Sequence, residues 1–274
     1  MKIGAGITVA SLQAGLPLEP LENRILLRHA LGLTRVGLIT QSERVLTDEE
    51  ATRLAALVAR RQAGEPIAYI VGQREFFGLP FQVNPAVLIP RPDTELIVEL
   101  ALERLAPRAR LLDMGTGSGA IAVAVAHTRP DAAVSALDVS EEALAVARAN
   151  AATNGAQVRF LRSDWFAALN GEVFDLIASN PPYIAAGDEH LAQGDLRFEP
   201  SGALTDFADG LAALRTIVDD APAHLVGGGW LLLEHGYDQA AAVRTLLRDA
   251  GYTEVQSWRD LGGIERVSGG RRRG

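Results

Sequence analysis

Residues 110–123 pass from a short apolar strand, Leu111-Leu112, through Asp113-Met114-Gly115-Thr116-Gly117-Ser118-Gly119 into the apolar helix start Ala120-Ile121-Ala122-Val123. A strand that turns on glycines into a helix restricts the chain to an α/β fold more than any other stretch does. Glycines let the main chain approach a ligand and take positive φ, and the free amides at the helix start offer hydrogen-bond donors, so the arrangement suits a nucleotide-like ligand. Nineteen residues after Gly119, the strand at 133–137 delivers Asp138. Its carboxylate is able to accept from both hydroxyls of a ribose; the competing role is to cap the helix that follows Ser140. A third strand, 158–161, ends at Ser163-Asp164-Trp165-Phe166, where Trp165 either packs on an adenine face or belongs to the core. Further strands at 174–178, 229–233 and 254–258 alternate with helical stretches, which predicts a mainly parallel sheet covered on both faces. The spacings leave the strand order open.

Composition narrows the partners. The 274 residues, 48% hydrophobic and 22% charged, suffice for one large domain or a large and a small one and exclude a disordered chain. Without cysteine there are no disulfides, thiolate metal sites or thiol nucleophiles, and the 5 histidines show no paired spacing, so no metal is expected. No stretch approaches the roughly 20 apolar residues of a membrane span, and Met1-Lys2-Ile3-Gly4 lacks signal-peptide character, so a cytoplasmic protein without membrane contact is expected. The net charge of -8 argues against gripping extended nucleic acid. Residues 1–80 carry 9 basic and 8 acidic side chains, net +1, leaving -9 for the remainder and suggesting two regions with different tasks. The run Arg271-Arg272-Arg273 is expected to be a solvated tail.

Residues 1–66 are expected to form a small helical domain. Leu18, Leu21 and Ile25 lie at helical spacing, Leu26, Ala30 and Leu33 continue a stripe, and Thr47-Asp48-Glu49-Glu50 has the form of a capping box ahead of Leu54, Leu57 and Val58. Gly64 and Pro66 end that helix. Residues 67–90, with alternating apolar stretches at 76–81 and 83–89 broken by Gly and Pro, suggest a β-hairpin linker, and 91–274 form the large domain. Pro90-Arg91-Pro92-Asp93-Thr94-Glu95 opens a helix buried through Leu96, Ile97 and Leu100. Arg91 there makes a surface salt bridge or lines the mouth of a site.

The strand at 174–178 is followed by Ser179-Asn180-Pro181-Pro182-Tyr183-Ile184. Two prolines fix φ and remove two amide donors, leaving stiffly held carbonyl acceptors beside the Asn180 side-chain oxygen. A planar substrate NH2 needs two acceptors. Asn180 and the Pro181 carbonyl are placed to supply them, and Tyr183 to pack on the flat face of the group.

Asn-Pro-Pro-Tyr joined to the glycine turn and Asp138 resembles S-adenosylmethionine-dependent methyltransferases acting on planar nitrogen. The flanking Tyr69-Ile70-Val71-Gly72, Glu75-Phe76-Phe77-Gly78, Val87-Leu88-Ile89-Pro90-Arg91-Pro92-Asp93-Thr94-Glu95, Ser163-Asp164-Trp165-Phe166, Phe198-Glu199-Pro200, Asp209-Gly210-Leu211 and Leu233-Glu234-His235-Gly236 resemble the bacterial HemK/PrmC family, glutamine-N5 methyltransferases of peptide chain release factors. The resemblance runs from about Leu26 to Arg266.

It implies a class I S-adenosylmethionine-dependent fold, Rossmann-like with a mainly parallel seven-stranded sheet, behind the helical domain and hairpin linker. It also implies that Gly115, Thr116, Gly117, Ser118, Gly119, Asp138, Trp165 and Asn180 hold S-adenosylmethionine. Asn180, Pro181, Pro182, Tyr183 and Arg91 would meet the substrate, with Asn180, Pro181 and Tyr183 at the chemistry. The implied substrate is the Gly-Gly-Gln glutamine of class 1 release factors, recognised with help from the helical domain and without direct nucleic-acid contact. The nearest rival, a DNA adenine-N6 methyltransferase, shares the tetrapeptide but would need a basic recognition region. A dinucleotide-dependent oxidoreductase would share the glycine turn and Asp138 yet leave Asn-Pro-Pro-Tyr without a role, and a catalytically silent binding protein would have no need of the full set.

Overall fold

The computed structural model describes residues 3–274 as two compact units, divided between Gly72 and Gln73. Met1 and Lys2, which entered the reading of the N-terminus, lie outside the described residues.

The first unit is helical: α1 (Val9–Gly15), α2 (Pro20–Leu31), α3 (Arg35–Thr40), α4 (Asp48–Gln62) and α5 (Ile67–Val71). The capping box closes as expected, Thr47 Oγ1 accepting from the Glu50 amide at 3.2 Å and the Thr47 amide donating to Glu50 at 3.1 Å. Leu26, Leu27 and Ala30 of α2 meet Leu54 and Val58 of α4 in one core, joined by Val9 and Leu12 of α1. Helix α1 was not expected from the sequence. Its N-cap is Thr8, whose side chain accepts from the Ser11 amide, a signal without the apolar run that marked the later helices. Residues 67–71 also differ from the expected hairpin: Ile67 to Val71 make a helical turn closed by Gly72 in the left-handed conformation.

The second unit opens with the hairpin β1 (Gln73–Phe76) and β2 (Leu79–Gln82), whose turn is Phe77-Gly78. The strands thus lie earlier than the expected 76–81 and 83–89 stretches, and residues 83–89 form no strand. Buried Asn150 fastens the hairpin: its Oδ1 accepts from the Gln82 amide at 2.7 Å, and its Nδ2 donates to the carbonyls of Gln82 at 3.0 Å and Ser118 at 2.9 Å. There follow α6 (Glu95–Arg104), β3 (Arg110–Met114), α7 (Ala120–Thr128), β4 (Ala133–Asp138), α8 (Glu141–Thr153), β5 (Val158–Arg162), β6 (Phe174–Ser179), α9 (Ser201–Leu204), α10 (Ala212–Asp220), β7 (Leu225–Glu234), α11 (Ala240–Asp249), β8 (Thr253–Arg259) and β9 (Glu265–Arg271).

Among the described residues, seven of these strands form one sheet in the order β5-β4-β3-β6-β7-β9-β8, with β9 antiparallel to both neighbours and the rest parallel. Side-chain alternation splits its faces: Leu111, Leu176 and Leu232 pack with α6 and α7, while Leu112, Ile177 and Leu231 pack with α10 and α11. Strand β9 was not foreseen, because Ser268-Gly269-Gly270 lacks the branched apolar residues of a typical strand. The close fit favours glycine there: a Cβ on Gly269 would stand 2.5 Å from the Leu231 carbonyl oxygen. The expected solvated tail is corrected accordingly. Arg271 ends β9 and donates to Gly228 O at 2.8 Å, the Arg272 amide donates to Gly229 O at 2.8 Å, and the Arg272 guanidinium reaches the Leu225 carbonyl.

Candidate active site

The sheet order reverses at β3: the chain moves outward through β4 and β5, then returns to place β6 on the other side of β3. Ligands of open α/β sheets bind at such a switch point, outside the carboxyl ends of the strands. Pairing fixes what stands there. Leu137, Met114, Ser179 and Leu233 are partners across four adjacent strands, so the next residues, Asp138, Gly115, Asn180 and Glu234, share one row at the carboxyl edge. Buried Ser179 locks the middle of the row, its Oγ donating to the Met114 carbonyl at 2.7 Å.

A cavity of about 300 Å³ opens along this edge. Arg91, Gly115, Thr116, Gly117, Ser118, Asp138, Trp165, Asn180 and Pro182 line it. Gly119, Pro181 and Tyr183 do not line it. Gly115 and Gly117 have φ of +69° and +54°, and no atom lies within 4 Å of where a Cβ would stand on either, so the turn presents bare backbone to open space. Gly119 differs: its φ is +85° and a Cβ would meet Ala147 Cβ at 3.1 Å, so it serves the packing of α7 on α8.

Ser140 caps α8, its Oγ accepting from the Ala143 amide at 3.1 Å, so capping that helix is not the role of Asp138. Its Oδ2 accepts from the Gly117 amide and its Oδ1 from the Ser140 amide, each at 2.9 Å, so it braces the glycine turn and the start of α8 while facing the cavity. Burial raises its pKa, opposed by the Ser140, Gly117 and Val139 amides. Behind the turn, buried Asp113 accepts from Thr116 Oγ1 at 2.6 Å and the Ala122 amide at 3.1 Å, while its Oδ1 has no partner. Burial pushes this carboxyl up to about 7, with the Thr116 and Ala122 bonds pulling down and Asp138 pushing up. Trp165 sits at φ +44°, its carbonyl held by Ser163 Oγ at 2.6 Å. Arg91 pairs with Glu199, whose side chain is fully buried and also accepts from the Ile89 amide at 3.0 Å. It therefore makes no ordinary surface salt bridge.

Asn180 donates from Nδ2 to Thr94 Oγ1 at 3.1 Å. The Tyr183 hydroxyl donates to Glu234 Oε1 at 3.4 Å, and its ring packs with the α10 and α11 core instead of facing the cavity. Burial and the Glu234 charge push the Tyr183 pKa up. Glu234 is pushed up to about 7 by burial, against the Thr94 and Tyr183 hydroxyls and Arg266, with Asp93 adding to the rise. Thr94 and Glu234 were not singled out as site residues from sequence. Both lay within stretches already recognisable, Pro-Arg-Pro-Asp-Thr-Glu and Leu-Glu-His-Gly, but it takes the β6–β7 register to bring Glu234 into the Asn180 row and the start of α6 to bring Thr94 within hydrogen-bond reach of Asn180.

Residues 93–199 match the family described as methyltransferase small domain, and residues 9–72 the family described as PrmC N-terminal domain. The release factor glutamine methyltransferase of Burkholderia pseudomallei is 58% identical over 273 residues, covering 96% of each chain. The chain belongs to the release factor glutamine methyltransferase family. The Bordetella pertussis release factor glutamine methyltransferase is 56% identical over 259 residues, 93% of this chain and 95% of that one. A methyltransferase structure from Pyrococcus furiosus aligns over 78% of this chain and 97% of its own with a TM-score of 0.56 at 22% identity, a likeness of fold. The seven-stranded sheet is thus that of a class I methyltransferase, here in a release factor glutamine methyltransferase that adds a helical unit before it.

Proposed function

We propose that this chain methylates the side-chain amide nitrogen of the glutamine in the Gly-Gly-Gln motif of class 1 peptide chain release factors. The methyl comes from S-adenosylmethionine, and the products are S-adenosylhomocysteine, the N-methylated amide and one proton released from the amide nitrogen to solvent. The observation that carries the reading is the row at the switch point: a carboxylate, an open glycine turn and an asparagine on adjacent strands around one cavity.

These residues fit the cofactor. Bare backbone at Gly115 and Gly117 admits close approach, the Asp138 oxygens keep lone pairs for ribose hydroxyls beyond the bonds they already accept, and Trp165 offers an aromatic surface for adenine. Thr116 and Ser118 contribute polar atoms to the same wall. When bound, S-adenosylmethionine supplies an electrophilic methyl on a sulfonium centre.

The protein must make a poor nucleophile react, because an amide nitrogen shares its lone pair with its carbonyl. Asn180 spends its NH2 on Thr94, which leaves its carbonyl oxygen to accept one N–H of the substrate amide; Pro181, which does not itself line the cavity but stands between the lining residues Asn180 and Pro182, would accept the other through its carbonyl. Proline at 181 and 182 stiffens the acceptor pair. Holding both N–H groups orients the nitrogen, and a nitrogen gaining a methyl is a stronger donor, so the same acceptors bind more tightly in the transition state. Arg91, held by Glu199 at the cavity wall, is placed to meet the main chain around the glutamine. Tyr183 acts from behind, as part of the core that supports the tetrapeptide.

The helical unit recognises the release factor, and no direct contact with nucleic acid is required. Among the described residues no helix is long and apolar enough to cross a membrane; the proposed substrate, a translation factor, puts the reaction in the cytoplasm. The test is transfer of labelled methyl to a purified release factor, beside the same factor with its Gly-Gly-Gln glutamine replaced and beside duplex DNA. Label on the unaltered factor alone is expected; label on DNA, or equal label on the altered factor, contradicts the assignment.

A further inference from the structure

Pro181 and Pro182 carry no amide hydrogen, so the middle of Asn-Pro-Pro-Tyr has no main-chain donor by which the rest of the protein could hold it. Its position is set from the two ends. At the entrance, Ser179 pairs in β6 with Met114 and Leu233, and its Oγ donates to the Met114 carbonyl. At the exit, the Ile184 amide donates to the Leu204 carbonyl at 3.0 Å, and the Tyr183 carbonyl accepts from Gln239 Nε2 at 3.0 Å.

Gln239 is the N-cap residue of α11, yet its side chain makes no capping bond. It reaches three other segments instead. Oε1 accepts from the Gly236 amide at 2.8 Å, just beyond the end of β7, and Nε2 donates to the Tyr183 and Gly210 carbonyls, each at 3.0 Å. These partners define the polarity of the side chain: turned over, its NH2 would meet an amide hydrogen and its oxygen two carbonyls. Gly210 is itself fixed, its amide donating to Asp206 Oδ1 at 3.0 Å, while Asp206 Oδ2 accepts from the Ala212 amide at 2.7 Å at the start of α10. One side chain thus ties the tetrapeptide to the end of β7 and to the loop that enters α10.

We propose that Gln239 is a positioning residue for methyl transfer: it holds the exit of Asn-Pro-Pro-Tyr and so sets where the Pro181 carbonyl stands relative to the Asn180 side chain. The prolines transmit the hold, since φ is fixed at both. Gln239 does not line the cavity, so it acts without touching substrate or cofactor. Its role rests on the reading of Asn180 and Pro181 as the acceptor pair for the glutamine amide.

The test uses the full chain and two independent readouts. Isotopic labelling of tyrosine carbonyls together with isoleucine amide nitrogens makes the pairs Tyr69-Ile70 and Tyr183-Ile184 visible by magnetic resonance, the second identified by its loss in Tyr183→Phe. The Tyr183 carbonyl signal reports the bond from Gln239, and the Tyr69 signal serves as an internal reference. Gln239→Leu keeps the bulk without polar atoms; Gln239→Glu, when ionised, still accepts from Gly236 but offers neither carbonyl a donor. Each should move the Tyr183 signal and leave the Tyr69 signal in place. In methyl transfer, at a temperature where every variant is folded, each should lower kcat by about ten-fold or more, with the cofactor Kd within roughly two-fold of wild type. Leu247→Ala, at a fully buried position about two turns further along α11, separates positioning from stability. It should lower Tm at least as far as Gln239→Leu, yet leave the Tyr183 signal in place and kcat within about two-fold. A Gln239→Leu enzyme with wild-type kcat, an unmoved Tyr183 signal, or equal loss of kcat in Leu247→Ala overturns the proposal. If the wild-type chain transfers no methyl to a release factor, the functional reading fails, and the Tyr183 signal in Gln239→Leu still decides whether Gln239 holds the tetrapeptide.

Discussion

A methyl group added at Gly210 probes how the tetrapeptide is held from outside the sheet. Gly210 has φ +81°, and its Cβ would stand 2.6 Å from the Tyr183 carbonyl oxygen, 2.9 Å from Gln239 Nε2 and 3.2 Å from the Ala185 amide nitrogen. Gln239 Nε2 donates to the carbonyls of both Tyr183 and Gly210 at 3.0 Å. The glutamine can swing aside; the Tyr183 carbonyl follows Pro181-Pro182 and cannot yield without moving the segment. Left-handed φ costs an alanine about 1 kcal/mol, overpacking against main chain about 1–3 kcal/mol, and a lost hydrogen bond about 1 kcal/mol. Gly210→Ala should therefore destabilise by roughly 3–5 kcal/mol. Gly155→Ala isolates the first contribution, with φ +63° and nothing within 4 Å of the new Cβ, and should cost about 1 kcal/mol. For a unit of about 200 residues, 1 kcal/mol corresponds to about 2–4 °C in Tm, so calorimetry should show a shift of that size for Gly155→Ala and about 10 °C for Gly210→Ala. At a temperature where both are folded, Gly155→Ala should transfer methyl normally and Gly210→Ala at least about ten-fold more slowly. Equal Tm shifts, or a Gly210→Ala enzyme with wild-type turnover, would refute the reasoning.

Two further outcomes are expected. Asp138→Ala should weaken S-adenosylmethionine binding by roughly 10- to 100-fold in calorimetric titration, as lost charge-assisted hydrogen bonds would; unchanged affinity would confine Asp138 to bracing Gly117 and Ser140. Asp113 and Glu234 both sit near 7 against ordinary values of 3.8 and 4.5, so the folded chain binds more protons than the unfolded chain between about pH 4 and 7. Their contribution to stability is therefore greatest below pH 4 and falls as pH rises through 7, by up to about 1.4 kcal/mol per pH unit for each proton. The carboxyls lowered below their ordinary values, Asp188, Asp209 and Asp260 among them, oppose this trend only at its acid end, and His235, lowered by burial, opposes it below its ordinary 6.5. Asp113→Asn should flatten Tm against pH across that window, and an unchanged slope would contradict it.

The positions of the glycine turn, Asp138 and Asn-Pro-Pro-Tyr at the strand ends were legible because each is marked by adjacent residues: glycines for positive φ, paired prolines after an apolar run, a carboxylate directly after a strand. The Thr47 capping box was legible for the same reason. What the sequence did not yield depends on pairing. Strand β9 is glycine-rich because it lies tightly between neighbours, and nothing local in Ser268-Gly269-Gly270 advertises a strand. The bond from Tyr183 to Glu234 spans 51 positions and depends on β6 and β7 being parallel neighbours in a particular register. Tyr183 was expected to face the substrate, since an aromatic beside an acceptor pair suggests stacking; the core beneath α10 and α11 claims its ring instead.

In the proposed reaction Asn180 holds the accepting amide while the glycine turn and Asp138 hold the cofactor. Asn180→Ala tests it most directly, with transfer followed by the mass of the release factor's Gly-Gly-Gln peptide and cofactor affinity measured by calorimetry on the same preparation. The expected result is loss of the added methyl with a cofactor Kd within about three-fold of wild type. Transfer that persists, or affinity that falls as far as transfer does, would contradict it.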